Sequence, residues 1–173
     1  MSLADRMTDL PTFLAYSVVM EEEASERNYE LADVIDFHNN PDVAETLRKL
    51  AHYSRLQAHE ISDQSKDLQL PKIAPWDFEW EGGEPPETAD SDEVHYLMNR
   101  AQALRLAMEN EQRAHDFYAD IARHAPAEDV RALAAEFAEE EQEHLDLLVE
   151  WRKKIPESDN ETLVDDDPAH MPE

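Results

Sequence analysis

Four side chains in three stretches of this sequence have the residue types and the spacing of metal ligands. Glu141 and His144 are three positions apart, so a helix places both on one face. Glu21 and Glu111 each open a Glu-x-x-Ala motif, and the two motifs are 90 residues apart. Carboxylate oxygen and imidazole nitrogen suit iron or manganese, and zinc accepts both. The chain has no cysteine, so every candidate ligand is an oxygen or a nitrogen atom.

Each of these four residues interrupts an apolar stripe with a spacing of three or four residues. Such a stripe marks the helix face that packs into a core. The three carboxylates and the imidazole are therefore expected to point inward at one level, whereas Glu139, Glu140 and Glu143 form a solvated face. The stripes are Leu14, Val18, Ala24, Asn28, Ala32 and Ile35 around Glu21; Ala101, Leu104, Met108, Ala114, Tyr118 and Ile121 around Glu111; and Val130, Leu133, Phe137, Leu148 and Trp151 around Glu141 and His144.

A buried carboxylate must be protonated, paired with a base or bound to a cation, because burying its charge alone is too costly. A bound metal ion satisfies all four side chains together. In the alternative account, Glu141 and His144 bond to each other, while Glu21 and Glu111 rotate toward solvent or hold water.

The elements that carry these residues are predicted to be helices alone. Both glycines are adjacent, at 82–83, and the ten prolines fall almost entirely outside long stretches of helix-favouring residues. One domain, residues 1–155, is expected, followed by a flexible acidic tail. Aromatic residues should pin the long linker across the bundle. The predicted helices cover about 9–38, 41–67, 92–125 and 126–154, the linker covers 69–90 with Trp76, Phe78 and Trp80, and the tail covers 156–173.

The second and fourth helices repeat each other after 87 residues. This shift aligns Val43 with Val130 and Leu50 with Phe137. Two helical hairpins joined by a long crossover predict an all-α, four-helix bundle. The same shift puts Ser54 at the position of Glu141 and Gln57 at that of His144, so the second helix has only two weak candidate ligands.

Two histidines are further candidates. A shift of 85 residues aligns His59 with His144 but puts Leu56 opposite Glu141 and loses the apolar matches, so His59 is a reserve ligand and is otherwise expected at the surface, like His52. His115 follows Glu111 by one turn, and it either reaches the site or bonds a neighbouring carboxylate.

The charge of the chain excludes several classes of partner. Forty-two acidic against 15 basic residues give a net charge of −27, which disfavours nucleic acid and anionic membrane surfaces. No stretch has the length and apolarity of a membrane span, and the first residues do not resemble a secretion signal. A cytoplasmic protein is expected.

These motifs, in this order, resemble the ferritin-like superfamily and, within it, the rubrerythrin-type branch. The resemblance covers about residues 9–154 and rests on "EEEASERNYELAD", "HNNPDVAETLRKLA", "ENEQRAHDFY" and "FAEEEQEH". It implies a di-iron site with a Glu from the first and third helices and Glu-x-x-His from the second and fourth. Glu21, Glu111, Glu141 and His144 fit that pattern, and Ser54 and Gln57 depart from it.

By the same resemblance, the expected activity is that of a ferroxidase or a peroxidase, acting in a homodimer or a higher oligomer. Without cysteine there is no rubredoxin centre in this sequence, so reducing electrons would come from an external donor. Because Ser54 and Gln57 replace one ligand pair, one iron ion is as well supported as two. The alternative is a metal-free structural or interaction module.

Overall fold

A computed structural model describes residues 1–37, 40–81, 83, 85–86 and 99–156. Within these ranges all regular structure is helical, which confirms the all-α prediction. One 3-10 turn, Pro75–Asp77, lies in the linker. The five α-helices are α1, Leu3–Arg6; α2, Leu10–Phe37; α3, Pro41–Gln64; α4, Arg100–His124; and α5, Glu128–Lys153.

Local capping explains where α3 ends and where α4 begins. The α3 helix ends three residues before the predicted position 67, and the Ser65 hydroxyl donates to the Ile61 carbonyl there. The α4 helix begins at Arg100, because Asn99 is extended and forms a reciprocal capping box with Gln102. The other parts of these predictions, at 38–39, 82, 84, 87–98 and 157–173, lie outside the described residues.

The short helix α1 was not predicted. Ser2 caps it, since its side chain accepts from the Asp5 amide while the Asp5 carboxylate accepts from the Ser2 amide. Four residues are too few to show a helical period in the sequence. The helix nevertheless buries Leu3, Ala4 and the following Met7.

The long helices form two antiparallel hairpins, α2 with α3 and α4 with α5, as the internal repeat predicts. Two apolar clusters fill the space between them. One cluster surrounds Phe13, Tyr118 and Phe137. The other surrounds residues such as Leu47 and Leu104. On α2, α4 and α5 the stretch between the two clusters contains the buried acids, so the bundle has a polar layer between two apolar ones.

Aromatic side chains fix the linker against the bundle, as predicted. Phe78 and Trp80 each lie 4.9 Å from the Tyr16 ring between centroids, and the Glu79 amide donates to the Tyr16 hydroxyl at 3.0 Å. Trp80 is 8% exposed. Trp76 is 83% exposed, however, and therefore does not serve as the third anchor.

The exposed faces of the helices are strongly acidic. Arg48 of α3 reaches Asp33 and Asp36 of α2 at 3.1 and 2.9 Å and joins the two helices of the first hairpin. Exposed ion pairs of this kind each contribute little to stability. In the part of the chain that the structure describes, no helix combines the length and the apolarity needed to cross a membrane.

Candidate metal centre

The polar layer of the bundle contains three carboxylates and one imidazole from three helices. Glu21 of α2 and Glu141 of α5 are 0% exposed, and Glu111 of α4 is 1% exposed. The His144 side chain on α5 is 13% exposed. The apolar residues that precede and follow each of them turn these helix faces inward. All four side chains therefore point into the bundle.

Three of these side chains bring metal-ligand atoms together. Glu111, Glu141 and His144 each offer one donor atom, and these atoms lie within 4.8 Å of one another. His144 Nδ1 is 3.2 Å from Glu111 Oε2 and 3.3 Å from Glu141 Oε2. The spacing of three residues on α5 puts Glu141 and His144 side by side, and packing of α4 against α5 adds Glu111.

Glu21 lies next to this group and has a partner of its own. The buried hydroxyl of Tyr118 donates to Glu21 Oε1 at 2.9 Å. The charge of Glu21 acts on both Glu141 and His144, so it lies close to the cluster. Tyr118 therefore packs in the apolar core and also orients a carboxylate of the polar layer.

Several carboxylate oxygens in this layer are buried without a hydrogen-bond donor. They are both oxygens of Glu141, Oε1 of Glu111 and Oε2 of Glu21. Although Glu141 Oε2 lies near His144 Nδ1, the contact lacks hydrogen-bond geometry. Buried oxygens without donors are rare in folded proteins, because their desolvation is not compensated. A cation among them would satisfy this requirement.

The electrostatics of the layer also favour a cation. Burial raises the pKa of Glu21 to about 7, and the Glu111 charge adds to the rise although the Tyr118 hydrogen bond opposes it. Burial and the charges of Glu21 and Glu111 raise the pKa of Glu141 well above its usual value. For His144, burial lowers the pKa, but the hydrogen bond and charge of Glu111 outweigh it and the net direction is upward.

The α3 helix faces this cluster without a carboxylate or an imidazole. Ser54 is 2% exposed, and Gln57 is half-buried with its Nε2 atom unpartnered. The Tyr53 ring stacks on the His144 ring, with centroids 6.1 Å apart and an interplanar angle of 11°. Sequence reasoning missed Tyr53, because its contact with His144 depends on how α3 packs against α5.

The two further candidate histidines, His59 and His115, lie outside the cluster. His59 has a side chain that is 75% exposed and lies 3.4 Å from Asp63, so it is not available as a ligand. His115 is near Asp116 at 3.1 Å, which corresponds to the alternative in which it contacts a neighbouring carboxylate. The 87-residue register, with Ser54 and Gln57 inward, therefore describes α3 better than the 85-residue register.

Comparison with known proteins agrees with this geometry. The rubrerythrin sequence profile matches residues 12–148 and 102–168, and the first range contains all four residues of the polar layer. The chain belongs to the rubrerythrin family. The chain is also similar to a solved structure, that of an uncharacterized conserved protein from Magnetospirillum magnetotacticum MS-1, with 40% identity and a TM-score of 0.71.

That structural match covers 86% of this chain and 96% of the other. No curated protein matches. Membership in the rubrerythrin family suggests a di-iron site, and the polar layer contains a carboxylate and histidine group that could hold a metal ion. The donor set fits a metal ion on the side of α4 and α5, whereas the α3 side lacks the ligand pair for a second.

Proposed function

We propose that this rubrerythrin-family protein binds one transition-metal ion through Glu111, Glu141 and His144, and that this ion is iron. Glu21 is the adjacent carboxylate. The observation that carries the proposal is the state of Glu141, which is fully buried with neither carboxylate oxygen hydrogen-bonded. Its oxygens lie within reach of donor atoms from Glu111 and His144.

Iron is the favoured metal because of the ligand types. Carboxylates and imidazole suit iron and manganese, and zinc would also bind. Family membership supports iron over the other two. A single ion follows from α3, where Ser54 and Gln57 supply neither the charge nor the imidazole that a second ion would need.

Each residue of the layer has a definite part in holding such an ion. Glu111 and Glu141 neutralise its charge, and His144 turns Nδ1 toward both of them. Tyr118 fixes Glu21 through its hydroxyl, so this carboxylate has one oxygen held and the other free to act as a ligand or a base. Iron in such a site supplies one-electron redox chemistry between the ferrous and ferric states.

The activity that these features support is oxidation of Fe(II) by dioxygen or peroxide. An iron ion held by Glu111, Glu141 and His144 would supply one electron on going from Fe(II) to Fe(III), so two such ions would be consumed for each dioxygen reduced to hydrogen peroxide, and the carboxylates would stabilise the more highly charged Fe(III) ion. The 173 residues contain no cysteine and so hold no rubredoxin-type centre. Repeated turnover of the same bound iron would therefore need electrons from a donor outside these residues.

Two measurements test this proposal. The first is metal analysis of protein purified without chelator, and the second is loading with Fe(II) without oxygen followed by exposure to air. The wild type should hold about one iron per chain and oxidise it, and Glu141→Ala should lose at least about 90% of both. Glu143→Ala, an exposed acid on the same helix, is the matched control and should behave as the wild type.

A folded wild type that takes up no metal would overturn the proposal. It would favour a metal-free interaction module, in which the raised pKa values of Glu21 and Glu141 favour their protonated forms. Iron that survives Glu141→Ala would instead place the site elsewhere in the chain.

A further inference from the structure

We propose that Gln57 is a binding residue for the small molecule that reacts at the metal, and that its side-chain amide donates a hydrogen bond to it. The inference rests on the proposed function, since it needs a metal in the polar layer. It assigns a role to the α3 side of the layer, where a second pair of metal ligands is missing. The occupant would be a small oxidant with a hydrogen-bond-accepting atom.

The contacts between α3 and α5 put Gln57 opposite the stretch that holds Glu141 and His144. Tyr53 stacks on the His144 ring. Farther along α3, the charge of Glu60 acts on Glu140 of α5. Gln57 lies between Tyr53 and Glu60, one helical turn beyond Tyr53 on the same face. Its level along the bundle is therefore that of the proposed metal ligands.

The Gln57 amide is in an unusual state. Its Nε2 atom is buried and has no hydrogen-bond partner. A buried N–H group without an acceptor costs free energy, so such a group is expected to have a partner in the working protein. The NH₂ group carries only donors and cannot ligate a cation. It suits an acceptor atom of a molecule that arrives from outside.

The charged side chains of the polar layer come from the other three long helices, so the α3 side offers neutral hydrogen-bonding groups. Glu21 from α2, Glu111 from α4 and Glu141 with His144 from α5 supply the charged donors. Beside Gln57, α3 contributes only the short, buried hydroxyl of Ser54. On the same side of the layer, Tyr53, which is 47% exposed, stacks on the His144 ring. A ligand of two or three atoms that gains negative charge at the metal, such as dioxygen or peroxide, is an acceptor that the Gln57 amide could bind.

Nitric oxide is a suitable probe, because it is a neutral diatomic that becomes a better hydrogen-bond acceptor at Fe(II). The protein is loaded with one equivalent of Fe(II) without oxygen and titrated with nitric oxide, and binding is followed by visible absorption and electron paramagnetic resonance. Gln57→Leu keeps the size of the side chain and removes the donor, and it should weaken nitric oxide binding about 5- to 10-fold. Its Fe(II) affinity should change less than about twofold.

The matched control is Gln64→Leu, which removes an exposed amide from the same helix and should leave nitric oxide affinity unchanged. Gln57→Glu is the second variant, and it keeps the length of the side chain while replacing the donor with a carboxylate. It should also bind nitric oxide more weakly, and it serves if Gln57→Leu does not fold. Circular dichroism of each metal-free variant establishes folding.

The outcomes separate this inference from the proposed function. No Fe(II) binding by the wild type would defeat both. Normal Fe(II) binding by Gln57→Leu together with unchanged nitric oxide affinity would defeat the inference alone. A large loss of Fe(II) affinity in Gln57→Leu would show that the amide oxygen is a metal ligand, which also overturns the inference.

Discussion

At the scale of the residue, Glu141 and Glu21 determine how the bundle responds to its environment. Burial raises the pKa of both carboxylates, the charge of Glu111 adds to both rises, and the charge of Glu21 adds to that of Glu141. The fold tolerates them in the metal-free state by favouring their protonated forms. Metal binding and proton binding therefore compete for the same oxygens.

The metal-free protein should become less stable as the pH rises from about 5 to 7.5. The pKa of Glu21 is about 7 in the folded protein against 4.5 for the free side chain, so in this window the unfolded chain has lost a proton that the folded chain still holds. The stabilisation is complete below the pKa of Glu21 in the unfolded chain, and it is lost as the pH rises through the pKa of Glu21 in the folded protein. The raised pKa of Glu141 acts in the same direction.

Urea unfolding in the presence of a chelator measures this loss, which for Glu21 is on the order of 3 kcal/mol. Glu21→Gln removes the titrating group and should flatten that part of the pH dependence. Glu22→Gln, an exposed neighbour, should keep it. An unchanged pH dependence in Glu21→Gln would contradict the assignment of the raised pKa to this residue.

At the scale of the element, α3 is the helix in which the two hairpins differ. Its apolar positions repeat those of α5, and its backbone contacts with α2 match those of α5 with α4 in extent. Ser54 and Gln57 nevertheless replace a carboxylate and an imidazole. The helix packs as its counterpart does, while its chemistry changes from charged ligands to neutral hydrogen-bonding groups.

Restoring the ligand pair on α3 should therefore raise the metal content. Ser54→Glu combined with Gln57→His creates a Glu-x-x-His pair on the inward face, and its iron content should rise from about one to about two per chain. The single change Gln57→His is the control, and its iron content should stay near one ion per chain. A double variant that folds, by circular dichroism, but still binds about one iron would show that α3 lies too far from the cluster.

The linker between the hairpins offers a direct comparison of two tryptophans. Trp80 is 8% exposed and contacts Tyr16 and Phe117, whereas Trp76 is 83% exposed. Trp80→Ala should lower the free energy of unfolding by about 3 kcal/mol, because it opens a cavity in the aromatic cluster. Trp76→Ala should lower it by less than about 0.5 kcal/mol. Equal losses in urea unfolding would contradict the anchoring role of Trp80.

At the scale of the whole molecule, the dominant property is its charge. The net charge is −27 on 173 residues, and many of the acids lie on exposed faces of the described helices. Repulsion among them opposes compaction. The same field concentrates cations around the bundle, which suits a protein whose proposed ligand is a metal ion.

The metal-free protein should accordingly gain stability with salt. Raising sodium chloride from about 20 to 500 mM shortens the screening length several-fold. Because acids far outnumber bases, the repulsion between acids then falls more than the attraction within the exposed ion pairs. The urea midpoint should rise, and potassium chloride should give the same rise because screening depends on ionic strength. A midpoint that falls with salt, or that depends strongly on the cation, would contradict this explanation.

The sequence by itself determined the helices and the direction of the acidic side chains. The three- to four-residue spacing of apolar positions is a property of a single helix, so it turns Glu21, Glu111, Glu141 and His144 inward wherever the helices pack. The repeat between the two hairpins likewise identified Ser54 and Gln57 as inward residues without a ligand pair. Neither the short helix α1 nor the start of α4 at Arg100 follows from such a period, since capping side chains decide both.

Only the tertiary structure decided which atoms meet. The Tyr118 hydroxyl reaches Glu21 across 97 residues of sequence, and Tyr53 covers His144 from a different hairpin. These contacts depend on how far one helix is shifted along another, and a periodic pattern is the same for every such shift. The packing offset therefore brings Glu111, Glu141 and His144 within 4.8 Å and leaves the Gln57 amide without a partner.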